Sequence, residues 1–187
     1  LVTQNVGGNT YVDEVMWGNN SVNLSNTGLL LDKFNFDRIS FSEPIILGQE
    51  GDFFELDFTY NDLAIDQYLV GSDDGSSIRI ISDKISLYSS GKEFEFTHPT
   101  VLIDGAKYRL RVERTLIAVG GVLEKAFSLS VDGYFEEKVT SSGEVRMSKI
   151  GGEDGSRGYE GIISYLNING NVFNFLKEGG KYIYKTR

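Results

Sequence analysis

The sequence has no cysteine, only two prolines, one histidine and one tryptophan among 187 residues. Without cysteine there are no disulfides, no thiolate metal sites and no cysteine nucleophile. The compartment stays open, because surface proteins of microbes and viruses often do without disulfides. The lone histidine, His98 in Thr97-His98-Pro99, would need ligands or a nucleophile from elsewhere in the chain to do chemistry. Neither a Gly-x-Ser-x-Gly elbow nor a His-Glu-x-x-His pair is present, so it reads as a turn histidine. Long apolar runs are also missing. Leu29-Leu30-Leu31 and Ile45-Ile46-Leu47 fall far short of the roughly 20 residues a membrane helix needs, and no membrane insertion is expected. Positive charge is scarce: 18 Lys and Arg against 27 Asp and Glu give a net charge of -9. That balance sets nucleic acid aside as a partner, since phosphate-backbone affinity comes from clustered cations.

What the sequence does have is 22 glycines, 12 Phe and 10 Tyr, a composition of short strands joined by tight turns. Its length suits one all-β domain over 1–187, with Leu1–Thr10 as the loosest segment. Tyr108, Leu110 and Val112 alternate with Arg109, Arg111 and Glu113, which predicts a strand with one buried face. Phe127, Leu129 and Val131 alternate with Ser128, Ser130 and Asp132, and Asp132-Gly133 is a type I′ turn signal into 134–139. Phe54, Leu56 and Phe58 predict another strand, and so do Ile78 and Ile80 followed by Ile85 and Leu87. Further short runs lie at 11–17, 34–41, 145–150 and 161–169, each bounded by turn residues. Little helix is expected, at most a short turn within 61–70. The absence of a starting Met or signal-peptide pattern reads as an excised domain or processed chain.

Four patterns in the second half follow one another in order. Asp104-Gly105 leads into the Tyr108–Arg114 strand; Leu129-Ser130-Val131-Asp132-Gly133 makes a hairpin; Lys149-Ile150-Gly151-Gly152 ends a strand; and Tyr159-Glu160-Gly161-Ile162-Ile163 opens a strand closing at Asn169-Gly170. The set resembles the concanavalin A-like lectin/glucanase superfamily and its laminin-G-like domains. The resemblance implies a two-sheet antiparallel jelly-roll β-sandwich. Animal laminin-G domains usually carry a cysteine just after the closing-strand glycine, where this chain has Ile162. The resemblance is therefore to the microbial or phage branch.

A related glucanase family on this fold places three carboxylates on alternate positions of one strand, where a retaining pair about 5–5.5 Å apart does the chemistry. Here Glu55 and Asp57 are followed by Thr59 and Tyr60, so the third carboxylate is missing and no enzyme is expected; a hydrolase or lyase with another site is the remote alternative. Sugar recognition stacks a ring on a pyranose and surrounds it with polar groups. Trp17, Tyr60 with Asn61 and Asp62, and Arg157 with Tyr159 combine ring and polar neighbours, and are the ligand-binding candidates. If successive strands run antiparallel, the loops at 61–62, 83–84, 98–105, 132–133 and 152–158 share one rim. Asp62, Asp83, Glu153 and Asp154 would then meet, in a set suited to calcium as cofactor, although turn chemistry alone also favours such residues.

The expected function is a non-catalytic, carbohydrate-binding, lectin-like module of an adhesin, tail fibre or other multidomain chain. Its partners would be a glycan or polysaccharide, with other domains or subunits of a larger assembly, at an extracellular, cell-surface or virion location. The alternative is a structural or protein–protein interaction domain, which large apolar surface patches would favour.

Overall fold

A computed structural model describes residues 3–6, 9–12, 15–18, 23–25, 28–31, 38–61, 66–72, 75–89, 91–97, 101–139, 144–151, 158–174, 177–178 and 181–182. The described residues are strand and turn throughout. In chain order the strands are β1 (Thr3–Val6), β2 (Asn9–Val12), β3 (Val15–Gly18), β4 (Asn23–Ser25), β5 (Gly28–Leu31), β6 (Arg38–Leu47) and β7 (Phe53–Tyr60). Then follow β8 (Gln67–Gly71), β9 (Ser77–Ile81), β10 (Lys84–Ser89), β11 (Lys92–Glu95), β12 (Lys107–Val119) and β13 (Val122–Val131). The last are β14 (Tyr134–Val139), β15 (Val145–Ile150), β16 (Gly161–Ile168), β17 (Asn171–Asn174), β18 (Lys177–Glu178) and β19 (Lys181–Tyr182).

Two antiparallel sheets carry the fold. The first runs β11-β10-β9-β8-β15-β6-β3; the second runs β14-β13-β12-β7-β16-β5-β4, with β17 beside β16. The chain passes from one sheet to the other between β6 and β7 and back again before β8, so each sheet is built from distant segments. Alternation explains the layering. Phe54, Leu56, Phe58 and Tyr60 of β7, with Tyr108, Leu110 and Val112 of β12, face Ile78, Ile80, Ile85, Leu87 and Met147 of the other sheet in one buried cluster. This is the expected two-sheet sandwich.

Within the segment 61–70, read as open to a helical turn, Gln67–Gly71 is a strand between β9 and β15, and 62–65 lie outside the described residues. Of the run expected at 34–41, 34–37 lie outside the described residues, and Arg38–Leu47 is a strand. Asp132-Gly133 forms its hairpin as expected, with φ of 49° and 85°. Ser82-Asp83, with φ of 47° and 63°, makes an equivalent turn between β9 and β10.

Candidate functional site

The described rim residues do come together. Tyr60 N–H donates to the Ala106 carbonyl (3.0 Å), Gly105 N–H to the Tyr60 carbonyl (2.8 Å), and Leu102 N–H to the Asp83 carbonyl (2.9 Å). Gln67 Nε2 donates to the Asn61 carbonyl at 2.7 Å, while its Oε1 accepts from Glu160 N–H at 3.2 Å. Asn61, Asp83, 102–106 and 158–160 therefore sit at one end of the sandwich.

The two tyrosines expected there as sugar platforms are core residues instead. Tyr60 is buried as the last member of the inward series of β7, and its hydroxyl donates to the Asp83 carboxylate. Tyr159 is fully buried, edge-on to Phe58 with ring centroids 6.3 Å apart, and its hydroxyl donates to the Thr59 carbonyl. Burial pushes its phenol well above the ordinary tyrosine range. Neither ring has a free face on which a pyranose could stack. The backbone of Trp17 pairs with Ile39 in the first sheet. Asp62, His98, Glu153, Asp154 and Arg157 lie outside the described residues. Among the described residues no three His, Cys, Asp or Glu converge as a metal site.

The most organised polar cluster lies on the outer face of the second sheet. Register sets it: Asp57 pairs with Arg109 and Glu55 with Arg111 across β7 and β12, while Tyr165 and Asn167 of β16 pair with Asp57 and Glu55 from the other side. A bulge at Ser164 turns Tyr165 outward, since strict alternation from buried Ile163 would have sent it into the core.

Arg109 grips Asp57 in a fork, Nε to Oδ1 at 2.6 Å and Nη2 to Oδ2 at 3.0 Å, and Lys107 Nζ lies 3.2 Å from Oδ2. The Asp57 side chain is only 7% exposed, whereas Arg109 and Lys107 are 52% and 55% exposed. Burial pushes the Asp57 carboxyl up, but hydrogen bonds and charge from Arg109 and Lys107 outweigh it and hold the group below its usual range. The guanidinium of Arg109 lies over the Tyr165 ring, 4.7 Å from its centroid. Asn167 Nδ2 donates to the Tyr165 hydroxyl at 3.2 Å.

A second stack follows two residues on, about 7 Å along the strand. Arg111 covers the Phe53 ring at 3.7 Å and pairs with Glu113 at 2.8 Å, with Glu55 at 3.7 Å. The outer face of the first sheet has a simpler counterpart, with Arg79 between the rings of Tyr68 (4.9 Å) and Tyr88 (4.4 Å).

The second-sheet cluster is a flat, pre-ordered array of planar donors, acceptors and ring-backed cations. The Asp57 carboxylate is salt-bridged and held below its usual range, so it is a poor proton donor; what the array can do is exchange hydrogen bonds with a polar ligand. Sequence reasoning weighed Glu55 and Asp57 but not their partners Arg109, Arg111, Tyr165 and Asn167. Period two marks Asp57, Arg109 and Arg111 as outward, but their meeting depends on pairing between strands fifty residues apart.

No family model matches the chain, and no curated protein matches it. Solved structures do. Full-length tailspike protein 2 from the Escherichia coli O157:H7 bacteriophage CAB120 is similar over 88% of this chain and 26% of its own, at 12% identity and a TM-score of 0.54. The enzymatically active domain of tailspike protein 2 from bacteriophage CBA120 is similar over 84% and 28%, at 14% identity and a TM-score of 0.50. Domains LG4-5 of the mouse laminin alpha1 chain are similar over 90% and 48%, at 9% identity and a TM-score of 0.51. The chain thus spans about a quarter to a half of these neighbours, and the likeness is one of fold, a laminin-G-like β-sandwich.

Proposed function

We propose that this chain is a non-catalytic glycan-binding module of a larger extracellular or virion-associated protein, close to the microbial and phage forms of the fold. We place its ligand on the outer face of the second sheet, at Asp57, Arg109, Tyr165 and Asn167. The carrying observation is the Asp57–Arg109–Tyr165 stack. Two of the five guanidinium N–H donors are spent on Asp57, and the exposed remainder can serve sugar hydroxyls. Glu55 and Asn167 add acceptors and an amide within one strand pair. Likeness to a tailspike protein and to a laminin chain supports the extracellular or virion setting.

A glycan array followed by calorimetry on the best ligand tests the reading. Wild type is expected to bind reversibly and to leave the glycan uncut. Arg109→Ala is expected to weaken binding at least tenfold, with far-UV circular dichroism unchanged. Repeating the titration with a chelator tests the calcium expectation for Asp62, Asp83, Glu153 and Asp154. No binding on the array, cleavage of the bound glycan, or full affinity in Arg109→Ala would each reject the reading. The alternative, a protein-interaction domain, is favoured by one observation, the hairpin tip of β12 and β13, where Val119, Val122 and Leu123 are exposed.

A further inference from the structure

The outer face of the first sheet holds a cavity of about 230 Å³ lined by Ile81, Lys84, Ser86, Glu93 and Glu95. Register builds it. Arg79 of β9, Ser86 of β10 and Glu95 of β11 stand in one cross-strand row, with Tyr88 opposite Glu93 on one side and Lys84 opposite Ile81 on the other. Ile85 and Leu87 point into the core, so alternation sends Ser86 outward. Ser86 is nevertheless only 3% exposed, because its short side chain is the floor and the longer side chains around it are the walls.

The hydrogen bonds already made fix what the cavity has left to offer. Ser86 Oγ donates its one proton to Glu93 Oε1 at 2.8 Å, so only its lone pairs remain. Lys84 Nζ donates to Glu95 Oε1 at 2.6 Å. Each glutamate thereby commits one oxygen and keeps the other. Three acceptors remain, Ser86 Oγ, Glu93 Oε2 and Glu95 Oε2, and one lysine against two glutamates leaves the lining with an uncompensated negative charge. A primary ammonium, with three N–H donors, one positive charge and no acceptor, matches this set. A carboxylate or phosphate would meet two like charges. Lys84 keeps two further N–H donors, so a ligand that also carries an oxygen beside its ammonium fits better than a bare amine. Arg79, opposite Ser86 and clasped between Tyr68 and Tyr88, commits Nε to Ser77 Oγ at 2.8 Å and adds its Nη donors one strand away.

We infer that this cavity is a second glycan subsite, on the opposite side of the sandwich from Arg109, and that it takes an amino sugar with a free amine. The ammonium lies over Ser86 between the two glutamates, and a neighbouring ring hydroxyl accepts from Lys84. A lysine side chain of a protein would bring the ammonium on a four-carbon stem with no oxygen for Lys84. The volume, below the ~300–1,000 Å³ of a drug-sized site, suits a single sugar ring. The choice of a sugar rests on the glycan-binding reading; the choice of an amine comes from the cavity itself.

Glucosamine titrated into the isotopically labelled 187-residue chain, at a pH that keeps its amine protonated, tests the inference by amide shifts in two-dimensional NMR. Saturable shifts are expected at 84–86 and 93–95. Glucose, N-acetylglucosamine and lysine blocked at its α-amine are each expected to bind at least tenfold more weakly. Glu93→Gln with Glu95→Gln, which keeps the shape and removes the charge, is expected to weaken glucosamine binding at least tenfold, with an unchanged circular dichroism spectrum. Shifts absent or confined to 107–111 and 165–167, equal affinity for N-acetylglucosamine or blocked lysine, or full affinity in the double glutamine variant would overturn the inference. A chain that binds its array glycan through Arg109 but shows no shift with glucosamine loses only this inference. One that binds glucosamine here but keeps full array affinity in Arg109→Ala loses only the second-sheet reading.

Discussion

Gly161→Ala gives the sharpest test of how this sandwich closes. Gly161 opens β16 opposite Tyr60, with φ of 152°, a region that L-residues rarely adopt. A β-carbon there would overlap the Thr59 carbonyl and the Tyr159 hydroxyl, and would come within 2.7 Å of Tyr159 Cζ. Two costs follow. Forcing alanine into that backbone region costs about 1–3 kcal/mol. Relieving the overlap means separating Tyr159 from Thr59, which strands a buried hydroxyl and a carbonyl at about 1–3 kcal/mol. The expected loss is about 3–5 kcal/mol, a large part of the 5–15 kcal/mol that holds a typical domain, and a fall in Tm of about 10 °C or more. Urea unfolding reads it as a lower midpoint at constant slope. Tyr159→Phe, which loses only the hydrogen bond, is expected to cost about 1–2 kcal/mol. The double variant is expected to cost less than the sum of the two singles, since the hydroxyl can be displaced only once. A Gly161→Ala protein within about 0.5 kcal/mol of wild type, or one less damaged than Tyr159→Phe, would refute the reasoning.

Asp57 is held below its usual range when folded, so its contribution is complete above the ordinary aspartate range and fades as pH falls through the lowered value. Acid-limb stability measured by urea midpoint against pH is expected to flatten in Asp57→Asn; an unchanged limb would count against the ion pair. Arg109→Ala is expected to cost about 1–2 kcal/mol at neutral pH, discounted because half of the guanidinium is in water. Phe58→Ala removes a ring that meets Tyr108 at 5.7 Å and Tyr159 at 6.3 Å, and is expected to cost about 3–5 kcal/mol by thermal or chemical unfolding; a loss below about 1 kcal/mol would mean the ring is not a core element.

The fold was legible because alternation is local. Phe54, Leu56 and Phe58, or Tyr108, Leu110 and Val112, show their buried face within six residues, and Asp132-Gly133 announces its own turn. The same rule extended to Tyr60 predicts burial, and reading Tyr60 as a loop ring meant giving its polar neighbours Asn61 and Asp62 more weight than its parity with Phe58. Tyr159 escaped for a different reason. Its burial depends on Thr59, a hundred residues away, and on a glycine two positions on whose missing side chain makes room for the hydroxyl. The outer-face cluster needed two further non-local facts, the pairing of Asp57 with Arg109 and the bulge that turns Tyr165 outward. Neither leaves a mark within a short window of sequence.

The stability of the sandwich gives no reason for Asp57 to be an acid. An outward strand position beside Thr59 would accept threonine or valine at little cost, because the core is built by the opposite face of β7. Drawing a carboxylate under two cations carries a desolvation cost that the ion pair does little more than repay, and apolar replacements of such pairs are often neutral or stabilising. What the pair does supply is geometry: it locks the Arg109 plane above Tyr165, while half of the guanidinium stays in water. A binding surface gains from such locking, since a side chain already immobilised has less entropy to lose when a ligand arrives. Asp57, held below its usual range by the neighbouring cations, does not suit the proton-donating role of a general acid.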